Sequence, residues 1–164
     1  MESMAFTSGS HFRSIKIIHF GLVTGVVFFI IVVLLVQFKG FGTFSEDIKV
    51  ILLVVTSVFT FFGVFAGQFA YKKKIEEGKS KSRLIEKLDI YRSALIIKLA
   101  LIEGPSFFAV VSYLLTGCYI FPGIALLLIV VFLMYRPTPD NFIMDLDLSP
   151  DEAAIVNNPE AIID

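Results

Sequence analysis

Four long apolar runs decide what this chain can fold into. They cover residues 17–38 (IIHFGLVTGVVFFIIVVLLVQF), 48–71 (IKVILLVVTSVFTFFGVFAGQFAY), 93–115 (SALIIKLALIEGPSFFAVVSYLL) and, shorter, 119–135 (YIFPGIALLLIVVFLMY). A run of about 20 apolar residues is the length that crosses a hydrocarbon core as a helix. The runs are rich in Val, Ile and Phe, which favour strands in water. A strand facing lipid, however, needs a closed barrel whose segments alternate apolar and polar residues, and none of these runs alternates. The expected fold is therefore all-α, an integral membrane four-helix bundle. Composition points the same way. Apolar residues make up 56% of the 164 and charged residues 18%, against roughly 45–50% and a quarter in soluble domains. The first run exceeds the 7–15 apolar residues of a signal peptide, and no small-x-small cleavage site follows Gln37, so it is expected to remain as a span.

Orientation follows from the basic residues between the runs. Arg13 and Lys16 precede the first, eight Lys and Arg lie in the loop 72–92, and Arg136 follows the fourth, against only Lys39 and Lys49 on the other side. By the positive-inside rule this asymmetry places both termini and the middle loop in the cytoplasm. The chain divides into a cytoplasmic N-terminal tail (1–16), a transmembrane domain (17–135) and an acidic cytoplasmic tail (136–164). Between the third and fourth spans only Thr116-Gly117-Cys118 remain, which makes those spans antiparallel neighbours.

The middle loop mixes eight basic with four acidic residues and is expected to extend the flanking helices to a break at Gly78-Lys79-Ser80. Its lysines read as attraction to anionic headgroups, and with no accompanying pattern of stacking aromatics a nucleic-acid partner is not expected. The tail after Arg136 carries seven acids and no base. Two helix starts are written into it, Thr138-Pro139 and Ser149-Pro150. Each sets a hydroxyl N-cap before a first-turn proline, and Ser149 with Glu152 has capping-box spacing. Phe142, Ile143 and Leu146 then share one helical face, so the acidic tail is expected either to fold back on the basic loop or rest at the interface as an amphipathic helix, or to stay a loosely ordered solvated tail.

Two ionisable residues lie well inside a span, Lys98 and Glu103, and intramembrane charge is costly, about 2.5–3.5 kcal/mol on insertion scales. Lys98 is about 8 Å from the cytoplasmic end of its span at 1.5 Å per residue and can snorkel. Glu103 is about 15 Å in, half of a core roughly 30 Å thick. It must be neutral, or paired with a group from another helix or subunit. Lys98 is a poor partner, since five positions place the two about 140° apart around the helix. Gly104 and Pro105 follow, and Pro105 cannot donate to the Leu101 carbonyl, so a kink or loosened turn is expected around the carboxyl. Glu103 reads either as a hydrogen-bonding group that holds a bundle together or as a proton- or ion-carrying site. The polar face of the second span, with Thr56, Ser57, Thr60 and Gln68, is its expected partner. Small-residue spacings at Gly21/Gly25, Gly63/Gly67 and Ala100/Gly104 let helix backbones approach closely. The many phenylalanines read as lipid contacts and packing.

One cysteine, Cys118, and two histidines, His11 and His19, leave no basis for an internal disulfide, a Cys-based metal site or paired haem ligands. Neither a phosphate-binding loop, a dinucleotide fingerprint nor a Ser/His/Asp set is present. No catalytic residue, metal or cofactor is expected, and the chain is not read as an enzyme.

Glu103-Gly104-Pro105, Leu115-Thr116-Gly117, Arg136-Pro137-Thr138 and Leu148-Ser149-Pro150-Asp151-Glu152 together resemble the pattern of a group of small, uncharacterised four-span bacterial membrane proteins. The resemblance covers roughly the C-terminal half. It implies a multi-pass protein of the bacterial inner (cytoplasmic) membrane and carries no activity with it. Residues 61–115 are also similar in outline to the proteolipid hairpin of rotary ATPases, in which a small-residue helix, a polar loop and a helix with a midplane carboxyl follow one another. The chain departs from that pattern in having only Gly63 and Gly67 in the first helix, Lys98 in the second, and two further spans.

The expected function is that of a small accessory, assembly or oligomeric membrane subunit acting through helix packing. Its partners would be the bilayer, other membrane subunits or further copies of itself. The alternative is a proton- or ion-translocating or transporter component that uses Glu103.

Overall fold

In the computed structural model, residues 7–40 and 46–163 are described. The first six residues of the N-terminal tail, residues 41–45 of the first loop and Asp164 of the acidic tail lie outside them. The described chain is all-α, with helices α1 (Ser8–Phe38), α2 (Glu46–Lys79), α3 (Leu84–Thr116), α4 (Ile120–Met134), α5 (Pro139–Asp145) and α6 (Pro150–Asn157). Three of them, α1, α2 and α3, are long and apolar enough to cross a membrane, and the count rises to four if α4 and α5 form one bent span. At 15 residues, α4 reaches only about 22 Å, short of a full hydrocarbon core. The fold is thus compatible with a multi-pass membrane protein.

The helices divide their residues between two compact units. One consists of Gly21–Gln68 and Lys98–Tyr135. Its core gathers Val26, Val33, Leu99, Ile102, Ala109, Val110, Phe121, Ala125, Leu128 and Phe132 from α1, α3 and α4, with Leu52, Leu53 and Val64 of α2 packed against it. Half of the most apolar stretch of α3 is buried, against about a fifth for α1 and α2, so α3 is the central helix of this unit. The opposite sides of α1, α2 and α4 expose Phe28, Phe61, Phe62, Phe65 and Leu127. Such a continuous apolar surface suits lipid and not water. The turn after α3 uses Gly117 at φ +64°, whose N–H reaches the Tyr113 carbonyl at 2.8 Å. This is the left-handed residue that ends many helices.

The other unit consists of Met1–Phe20, Phe69–Ile97 and Arg136–Asp164. Here α1 begins at Ser8, inside the stretch that reads as a tail, because Phe12 and Ile15 are buried with Tyr71, Ile75, Leu88, Tyr91, Phe142, Leu146 and Val156. Thr7 starts the helix, its hydroxyl accepting the Ser10 N–H. The acidic tail folds back as α5 and α6. Thr138 accepts from the Asn141 N–H, and Ser149 and Glu152 close a reciprocal capping box. Phe142 lies edge-on to Phe12 and Tyr91 at 5.8 and 5.1 Å. Ion pairs Lys79–Asp147 (2.7 Å) and Lys87–Glu152 (2.6 Å) and a hydrogen bond from the Tyr71 hydroxyl to Asp145 tie the tail to the ends of α2 and α3. The interruption between those helices falls at residues 80–83, later than the glycine predicts. Gly78 lies within α2, where a Cβ would come within 2.7 Å of the Leu146 side chain. It serves close packing and does not break the helix.

Candidate functional site

Of the polar residues that the sequence singles out in the apolar unit, Lys98 and Glu103 belong to α3 and Thr56 is bonded to it. This helix continues through Pro105 without a break. The Leu101 carbonyl, which Pro105 cannot bond, lies against Gly63 of α2, where a Cβ would sit 2.5 Å from the oxygen and 2.7 Å from the proline ring. One turn along, Gly67 lies against the Lys98 carbonyl, at 3.1 Å from a would-be Cβ. The Gly63/Gly67 spacing therefore sets the α2–α3 contact. Ala100 and Gly104 lie at the edge of that contact, in a shallow apolar groove of about 220 Å³ that also takes in Phe59, Phe62 and Ala66.

Glu103 lies elsewhere on α3. Two positions separate it from Pro105, a rotation of about 200°, so the residue that meets α2 and the carboxyl point to nearly opposite sides. The polar groups of α2 are engaged, or left, without it. Thr56 shares a hydrogen bond with Ser112 at 3.3 Å, and Ser57 donates to its own Leu53 carbonyl. The Thr60 hydroxyl and the Gln68 carbonyl oxygen are buried without a partner. The expected pairing of Glu103 with this face is not found among the described residues, and neither is any other hydrogen bond or ion pair to its carboxyl. The physical reason is helical phase, since sequence spacing alone does not say on which side of α3 the second helix packs.

The side of α3 that carries Glu103 is the side of α1. Phe107, one turn after Glu103, stacks obliquely on Phe29 at 5.4 Å. The Gln37 carboxamide donates to two carbonyls in the last turn of α3, those of Tyr113 and Leu114. These contacts run in the same order along both helices, so the helices are parallel and one turn back from Phe29 and Phe107 brings Gly25 about level with half-buried Glu103. Neither Gly25 nor Gly21 has an atom within 4 Å of where a Cβ would lie. The Gly21/Gly25 spacing, expected to pack helices, stays open within this chain.

Lys98 does not reach water. It is 4% exposed, and its ammonium sits 3.4 Å from the centroid of the Tyr135 ring at the end of α4, a cation–π arrangement. Tyr135 and Gln37 are the participants that sequence reading passes over. The available signals are an aromatic at a span boundary and an amide near the end of an otherwise apolar run. Among the described residues there is no group of three or more His, Cys, Asp or Glu side chains that could hold a metal.

No family model, no curated protein and no solved structure matches this chain.

Proposed function

We propose that the chain is a multi-pass protein of a bacterial inner membrane, a four-helix bundle with both termini in the cytoplasm. It acts as an accessory or assembly subunit, or as a homo-oligomer, through helix packing. One observation carries the reading: Glu103 holds a half-buried carboxyl that no described residue pairs, and Gly25 of α1, at about the same level, is open. A carboxyl at mid-bilayer needs a hydrogen-bonding partner, and an open small-residue stripe is where another helix can approach closely enough to supply one. The other strong stripe, Gly63/Gly67, is already occupied by α3.

The test combines gentle detergent purification, with identification of co-purifying chains, and substitution. Gly25→Leu and Glu103→Leu should dissociate the partner or the oligomer, whereas Glu103→Gln, which keeps the hydrogen-bonding shape, should retain it. A monomeric, partner-free wild type would overturn the proposal.

The second reading, a proton- or ion-carrying Glu103, draws on the same unpaired carboxyl. Proton flux in proteoliposomes separates the two. If Glu103→Gln abolishes flux at an unchanged protein level, packing is insufficient, and if flux is absent from the wild type, the ion-carrying reading fails.

A further inference from the structure

The start of α1 and residues 156–159 border a half-open cavity of about 310 Å³ in the unit that holds the tail. Its lining includes Arg13, Lys16 and Asn157 beside apolar Phe12, Pro139 and Pro159. Among the described residues no acid lines it, and neither cation has an ion-pair partner. Arg13, Lys16 and Asn157 are exposed, and the backbone that carries them is held in place. The Ser8 hydroxyl donates to the Val156 carbonyl at 2.7 Å, and the Ser8 and Gly9 N–H groups donate to Ala161 and Pro159 at 2.9 and 3.0 Å. A Cβ at Gly9 would come within 2.9 Å of the Pro159 oxygen.

Arg13 and Lys16 share one side of α1 with Ile17 and Phe20, since offsets of three, four and seven residues from Arg13 fall within an arc of about 100°. Ile17 and Phe20 are 63% and 69% exposed. Two unpaired cations are thus followed on the same face, within a turn or two, by exposed apolar side chains. The same order of groups, phosphate and then hydrocarbon, is met on entering a bilayer. Arginine grips phosphate with a fork of donors, and lysine adds a compact charge.

We propose that this cavity binds a phosphate group, supplied by the headgroup of an anionic phospholipid whose chains run along Ile17 and Phe20. The inference rests on the membrane reading above. A bound headgroup would bridge α1 and the residues after α6, so the lipid would fasten the tail as well as the helix.

The test uses the full chain reconstituted into vesicles of phosphatidylcholine with or without phosphatidylglycerol, reading the phosphatidylglycerol that remains bound after extraction. Arg13→Gln/Lys16→Gln should weaken retention about thirtyfold. Lys72→Gln/Lys73→Gln, which removes as much charge outside the cavity, should change it little, and unchanged helicity in both variants excludes unfolding. Retention that excess inorganic phosphate does not displace supports the lipid. Displacement by inorganic phosphate overturns the lipid as the source and leaves a site for free phosphate. Equal weakening in both double variants overturns the cavity in favour of general surface charge. Normal incorporation without phosphatidylglycerol retention overturns this site alone, whereas failure to incorporate overturns the membrane reading with it.

Discussion

Gly63 of α2 lies against the backbone carbonyl of Leu101 in α3, so close that a Cβ at position 63 would stand 2.5 Å from the oxygen. That carbonyl lacks its helical donor because Pro105 lies four residues on. A proline that frees a carbonyl and a glycine that makes room for it are therefore complementary parts of one helix contact. Bare Cα–H groups facing carbonyl oxygens recur at such interfaces.

Substitution at this contact should discriminate among the glycines. Gly63→Ala must displace backbone or the proline ring and is expected to cost about 1–3 kcal/mol. Gly67→Ala, with 3.1 Å available, should cost less. Gly21→Ala, in open space, should fall within about 0.5 kcal/mol of wild type for the isolated chain. Thermal unfolding in detergent, followed by circular dichroism, gives the ranking, and equal effects at positions 21 and 63 would contradict the packing described.

The tail is held chiefly by Phe142, which is fully buried between Phe12 and Tyr91. Phe142→Ala should cost about 3–5 kcal/mol, enough to undock α5 and α6. Truncation after Arg136 should do the same and raise the sensitivity of residues 80–83 to trypsin. Unchanged cleavage of that loop in the truncated chain would mean that the docked tail contributes nothing to its order.

Acid should loosen the same contact. Burial alone would raise Glu152, but the Lys87 ammonium and the Ser149 N–H hold its carboxyl below the usual carboxylate range. A carboxylate depressed in the folded state stabilises above its unfolded value, near about 4.3, and that contribution is lost as pH falls through the lower folded value. Amide-exchange protection of residues 150–157 should therefore decline below about pH 4.3 in wild type. The decline should be smaller in Glu152→Gln. Ser149→Ala, which removes the cap, should cost about 1 kcal/mol at all pH values.

Tyr135 should matter through its ring and not through its hydroxyl. Because the Lys98 ammonium sits over the ring centroid, Tyr135→Phe should keep most of the stabilisation. Tyr135→Leu should lose about 1–2 kcal/mol. Detergent melting temperatures of the two variants measure the difference, and equal losses would point to the hydroxyl instead.

Much of the helical plan is legible in the residues themselves. Run length and the lack of alternation mark α1, α2 and α3, the hydroxyl-proline pairs at Thr138 and Ser149 mark the starts of α5 and α6, and the spacing of Phe142 and Leu146 marks the face that is buried. These are local properties, governed by helix period, capping and the solvation of side chains. Which helix lies beside which is not local. Spacing places Glu103 and Pro105 on opposite sides of α3, but only packing decides that α2 takes the proline side and leaves the carboxyl toward α1. The same holds for Gly78, which reads as a break and serves as a seat for Leu146, and for Lys98, whose escape to water is replaced by the ring of Tyr135. A sequence specifies the angle at which a side chain leaves its helix, while the neighbour at that angle comes from the sum of contacts across the fold, which no single stretch of residues contains.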